Sequence, residues 1–181
     1  MIKRINVKFN VIEMMYYYWQ VTSEKGKVGE TYLIELSETE DMKYVYDGEF
    51  NSDSVRRVLS AISNREVLNS ESKKERKFWN FNMWMLEDLG FTEMMVLPVK
   101  KLNLSYLVDK LNEQFKDSAK YEELEEIFVP GLEEEYSIVE NKLIINFFKI
   151  KADLYEEDKV TIGELSLNDY IEEKLVELLN K

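Results

Sequence analysis

With no histidine and no cysteine among its 181 residues, the chain must rely on carboxylates, lysines, arginines, tyrosines and aliphatic hydroxyls for any chemistry it performs. The missing histidine removes the commonest general base near neutral pH and the Ser-His and Cys-His nucleophile pairs. The missing cysteine removes disulfides, thiolate nucleophiles and cysteine zinc sites. A serine activated by lysine is the main remaining covalent route, and Ser70-Glu71-Ser72-Lys73 has the S-x-x-K form. About one such match is expected by chance from this serine and lysine content, and the companion S-D-N and K-T-G elements are absent. The segment reads instead as the capped start of a helix.

Hard cations need converging oxygen donors, and three acidic clusters offer carboxylates: Glu122, Glu123, Glu125 and Glu126; Glu133, Glu134 and Glu135; Asp153, Glu156, Glu157 and Asp158. A calcium loop begun at Asp153 would put Tyr155 at its third position and Asp158 where glycine is required, so it is not an EF-hand. No metal site and no cofactor is expected, although carboxylates distant in sequence could still meet around magnesium. Gly26-Lys27-Val28-Gly29 has the G-x-x-G form of a nucleic-acid backbone clamp, but it falls between two strand patterns and reads as a hairpin turn. Lys73, Lys74, Arg76 and Lys77 precede Phe78 and Trp79, joining positive charge to stacking surface. Glu71 and Glu75 interrupt that patch, and the net charge of -12 disfavours nucleic acid.

Elements must position these groups. Ile5, Val7, Phe9 and Val11 alternate with polar residues, which predicts a half-buried strand. The pattern runs on through Tyr16, Tyr17, Tyr18 and Trp19 to Val21 and resumes at Tyr32, Ile34 and Leu36, predicting a hairpin, with a third strand at Lys43–Tyr46. Consecutive tyrosines on a strand point to both faces, so Tyr16, Tyr18 and Trp19 are candidate contact residues. Val55, Val58, Leu59 and Ile62 predict a helix begun by Ser52 or Asp53. Lys74–Leu89 predicts a second helix, ended by Gly90, with apolar residues most of the way round. Trp79 and Trp84 lie about 140° apart on it, so both cannot face one core, and both are candidate binding residues.

Farther on, Glu93–Val99 reads as a strand and Leu104–Phe115 as a helix with Asn103 at its start. Tyr121–Phe128 reads as an acidic helix or irregular stretch closed by Pro130-Gly131. Tyr136–Val139 with Leu143–Ile150 predicts a second hairpin, Val160–Ile162 a short strand, and Ser166 the cap of a final helix. Grouped strands and grouped helices predict a single α+β domain with a mixed, mainly antiparallel sheet and helices packed on one side.

The amino-terminal MIKRINVKFN alternates instead of running apolar, so no export signal is expected, and no stretch has the roughly 20 apolar residues of a membrane span. A cytoplasmic address follows by default. Residues 121 to 181 hold 6 basic and 17 acidic residues, against 18 and 19 in residues 1 to 120, which marks the last third as an acidic face and a candidate subdomain. Glu133, Glu134 and Glu135 are its candidate contact residues. The expected function is a non-catalytic interaction protein that meets a protein partner through aromatic and acidic surfaces. The alternatives are an enzyme using carboxylates with a divalent metal, or Tyr and Lys, in an aromatic pocket, and an acidic mimic of nucleic acid. Inward-facing carboxylates in an ordered pocket would favour the enzyme.

Overall fold

The computed structural model describes every residue except Asp117. Strand β1 (Arg4–Lys8) lies parallel beside β2 (Glu123–Val129), β2 lies parallel beside β4 (Lys142–Asn146), and β3 (Tyr136–Val139) closes the sheet antiparallel to β4. Parallel neighbours need a long connection, and six helices supply the one between β1 and β2. They are α1 (Asn10–Ser23), α2 (Glu30–Glu38), α3 (Ser52–Asn64), α4 (Lys73–Glu87), α5 (Leu89–Lys100) and α6 (Tyr106–Phe115). After β4 a small antiparallel sheet of β5 (Lys151–Ala152), β6 (Val160–Ile162) and β7 (Leu165–Ser166) leads into α7 (Leu167–Asn180). The fold is mixed α+β as expected. Its antiparallel pairs lie at the sheet edge and in the small sheet, while the centre of the main sheet is parallel.

The acidic stretch at 122–126 is a central strand and not a helix. Its charges are answered by the basic amino terminus: Lys3 pairs with Glu122 at 2.9 Å, Arg4 with Glu123 at 2.7 Å and Lys8 with Glu125 at 3.3 Å. The parallel register places Arg4 opposite Glu123 and Asn6 opposite Glu125, so an excess of acid in one third of the sequence becomes a charge-matched ladder. Glu126 alternates to the other face and lies wholly buried, with neither carboxylate oxygen hydrogen bonded.

That inner face carries Leu124, Phe128, Leu143 and Ile145 into the main core, against which α1, α6 and α7 pack. The outer face holds Ile127, Val129 and Ile144 beneath Tyr44, Val45 and Leu132. The α-helices therefore lie on one side, and a short 3-10 turn at Glu40–Tyr44 with the loop after β2 covers the other. Gly131, at φ 128°, adopts the left-handed backbone that swings that loop back over the sheet. The acidic third is built into this sheet, supplying β2, β3 and β4.

The expected amino-terminal hairpin is replaced by helices. Alternation stops at Lys8, and Val11, Ile12, Met15, Tyr18 and Trp19 are all buried on one stripe of α1. Aromatic β-propensity yields there to burial of a helical face. Glu93–Val99 likewise lies in α5, where Thr92, Met95, Val96 and Val99 form the buried stripe. Pro98 stands near the end of that helix, where the amide it lacks would have bonded the carbonyl of the exposed Met94. Gly90 lies inside α5 and does not end α4, and Asp88 caps the new helix by accepting from Phe91 N. Helix α3 is capped by Asn51 and not by Ser52 or Asp53, with Ser54 completing a capping box. Among the described residues no helix is long and apolar enough to cross a membrane.

Candidate functional site

Helix α4 stands between two concavities. Ser72 begins it by accepting from Glu75 N at 3.3 Å, and the buried Glu75 ties its start to α3. Burial alone would raise the Glu75 pKa, but the hydroxyl of Ser70 and the guanidinium of Arg57, at 2.5 Å, outweigh it and hold the carboxyl below its usual value. Ser70 is thus a structural donor to Glu75, which leaves the S-x-x-K segment as the start of a helix.

One side of α4 faces a cavity of about 250 Å³ beyond the carboxyl ends of β2 and β4. Parallel strands commonly present ligand sites at those ends, where the following loops diverge. Phe50, Phe78, Phe81 and Phe148 give its lining an aromatic character, with Val45, Pro130 and Leu132 beside them. Phe81 stacks on Phe148 at 4.8 Å with an interplanar angle of 7°, and Phe50 meets Phe78 edge-on at 5.4 Å. The buried Asn146 braces the loops: its Nδ2 donates to Leu132 O at 3.3 Å and Glu134 O at 3.4 Å, and its Oδ1 accepts from Phe148 N at 3.0 Å.

The charged rim is uneven. Asp47 pairs with Lys74 and accepts from Glu49 N and Phe50 N, both at 2.8 Å. The bond from Lys74, helped by those amides, lowers the Asp47 pKa to about 2, and the same bond raises that of Lys74. Among the described residues Lys73 and Lys77 have no carboxylate at ion-pair distance, and Lys77 lies 5.9 Å from the centroid of Phe81. Glu133 also lines the cavity.

On the other side of α4 lies a wider groove of about 790 Å³, floored by Trp79, Met83 and Leu86 and edged by Arg65 and Arg76. The Trp79 Nε1 is covered without an acceptor, an arrangement that costs about 1–3 kcal/mol when a donor is fully desolvated. Gly26 touches this groove as well. The G-x-x-G segment joins α1 to α2, so it is a link between helices and not the expected hairpin turn. Its Gly26 amide already donates to Val21 O, and Val28 N donates to Ser63 Oγ.

The candidate residues separate into two groups. Tyr18 and Trp19 are core residues and not contact residues: the Tyr18 hydroxyl donates to Leu59 O at 2.7 Å, and Trp19 donates to Asn82 at 2.8 Å while stacking on Phe147. Tyr16 is half-buried and donates to Glu93 at 2.9 Å, and burial with that bond pushes its pKa up to about 12. Trp79 reaches the groove, and Trp84 is 62% exposed, edge-on to Phe81. Glu133 reaches the cavity rim, Glu134 contributes its backbone carbonyl to Asn146, and Glu135 accepts weakly from Tyr170 at 3.4 Å. No local sequence signal marks Asp47, Phe50 or Phe148 as site residues. Phe148 falls in a stretch that reads as strand, and the three come together only where the start of α4 meets the turn after β4 and the loop before α3. No group of three or more carboxylates that could hold a metal ion occurs among the described residues.

Comparison with protein-family models, with curated proteins and with solved structures finds no match.

Proposed function

We propose that the protein is a non-catalytic, cytoplasmic binding protein whose ligand is a small anion with a flat apolar body, held in the cavity beyond β2 and β4. One observation carries this reading: four phenylalanines line a cavity at whose rim Lys73 and Lys77 stand, among the described residues, without a carboxylate partner. An aromatic lining recognises a planar apolar group, and unneutralised ammonium groups select negative charge at its edge. Asp47 kept ionised and Lys74 kept protonated by each other form a fixed brace, which suits binding better than proton transfer. The volume matches a single-ring ligand better than a larger one.

Phenyl phosphate is a suitable probe, with benzyl alcohol and inorganic phosphate as its apolar and charged halves. Phenyl phosphate should bind at about 1 mM or tighter by calorimetry, and each half alone at least about tenfold more weakly. Lys73→Ala with Lys77→Ala should weaken phenyl phosphate at least about tenfold while leaving benzyl alcohol unchanged. Equal binding by the wild type and the double variant, or no response to phenyl phosphate, would refute the reading.

A further inference from the structure

The groove on the other face of α4 and the loop between β5 and β6 each pair an apolar centre with charge, of opposite sign. In that loop Leu154 is 70% exposed and Tyr155 is 97% exposed, so neither serves the core. Asp153, Glu156, Glu157 and Asp158 surround them. The loop is preformed: Asp153 Oδ1 accepts from Tyr155 N at 2.8 Å and Glu156 N at 3.2 Å, Lys159 pairs with Glu156 at 3.3 Å and Asp153 at 3.8 Å, and Lys101 pairs with Asp158 at 3.7 Å, so four carboxylates share two lysines and the loop stays net acidic. An acidic turn thus holds out two apolar side chains.

The groove offers the reverse. Its apolar floor of Trp79, Met83 and Leu86 lies beside Lys25, Arg65 and Arg76, with Glu66 and Glu87 as its acidic members. Of the five arginines in the chain, Arg4, Arg56 and Arg57 each pair with a carboxylate. Arg65 and Arg76, the two at the groove, have no such pair among the described residues and donate only to the backbone carbonyls of Lys25 and Ser70. Two unpaired guanidinium groups in a chain of net charge -12 leave a local basic rim.

We propose that the groove receives the loop between β5 and β6 of a second copy of this chain, with Leu154 and Tyr155 on the apolar floor and the surrounding carboxylates against Arg65 and Arg76. The two surfaces differ, so the contact is head-to-tail, and each pair of copies keeps one free loop and one free groove for further copies. The patch is small, so association is weak and concentration-dependent.

Sedimentation velocity over about 5 to 500 µM should show mass rising with concentration and falling back as salt is added. Leu154→Ser with Tyr155→Ser should weaken self-association at least about tenfold, as should Arg65→Glu with Arg76→Glu. Mixing the two impaired double variants is the decisive measurement, because one keeps a working groove and the other a working loop. They should form a one-to-one heterodimer and nothing larger. The loop variant alters only exposed side chains, so its loss of association cannot be ascribed to unfolding, and circular dichroism checks the arginine variant. A wild type that stays monomeric throughout, or a mixture that yields no heterodimer, overturns the proposal. So does a monomeric protein whose groove binds a single-stranded oligonucleotide through Arg65 and Arg76.

Discussion

Glu126 is the residue whose environment contrasts most with its chemistry. On the inner face of β2 it sits level with Val7 and Leu143 on the adjoining strands, with Leu124 and Phe128 two positions away along its own strand. Burial without a hydrogen-bond partner raises its pKa well above its usual value, which favours the protonated form in the folded protein. The unfolded chain releases the proton near pH 4.3, so between that value and the raised one the unfolded state binds fewer protons and stability falls as pH rises. The slope from this group is at most about 1.4 kcal/mol per pH unit, and the stability is fully retained below about pH 4. Replacing Glu126→Met should therefore stabilise the fold by about 1–3 kcal/mol near neutral pH, with the gain shrinking toward pH 4.5. Urea unfolding of both proteins across that range checks it. A gain that does not vary with pH would mean that the carboxyl is not held protonated.

At the scale of elements, α4 determines where both concavities lie. Phe78 and Met85 are buried, as is Asn82, whose amide donates to Phe78 O at 2.8 Å while its oxygen accepts from Trp19. The remaining apolar residues turn outward, Phe81 to the cavity and Trp79 and Met83 to the groove. An apolar circumference that would suit a fully enclosed helix is here shared between one core face and two open ones. In variants that each keep one tryptophan, acrylamide should quench Trp84 most, Trp79 less and Trp19 least, following their exposure. Equal protection of Trp79 and Trp84 in the monomer would show that α4 is enclosed on all sides. The helix and its incomplete burial are legible from Phe78, Trp79 and Trp84 alone. Which of its faces meets the core is not, because that depends on how α3 and the sequence-distant α1 pack against it.

For the whole molecule, the charge of -12 is concentrated in the last third of the chain but distributed by the fold. The ladder of Lys3, Arg4 and Lys8 against Glu122, Glu123 and Glu125 neutralises one acidic cluster, while Glu133, Glu134 and Glu135 stay exposed. Exposed ion pairs contribute about 0–1 kcal/mol each, whereas repulsion among the unpaired acids acts over the whole surface. Screening weakens the distant repulsions more than the pairs in contact, since the Debye length falls from about 10 Å at 0.1 M salt to about 3 Å at 1 M. The melting temperature should therefore rise by a few degrees, roughly 2–5 °C, between about 0.02 M and 0.5 M sodium chloride. A fall over that interval would show that the ion pairs outweigh the repulsion.

The sequence by itself determined the chemistry that is out of reach, through the absence of histidine and cysteine, and the elements whose signals are local. These are the alternation of β1, the caps of α4 and α7 at Ser72 and Ser166, and the hairpin of β3 and β4 about Glu140-Asn141. The tertiary structure decided everything that rests on a distant partner. Tyr16 to Trp19 favour a strand by residue type, yet they are helical because α1 must bury Tyr18 and Trp19 between the sheet and the neighbouring helices. Glu123 to Val129 resemble a solvated acidic segment until β1 and β4 flank them on either side. β2 shows little alternation because most of it is covered on both faces, and the counter-charges of its acidic end come from β1, more than a hundred positions away.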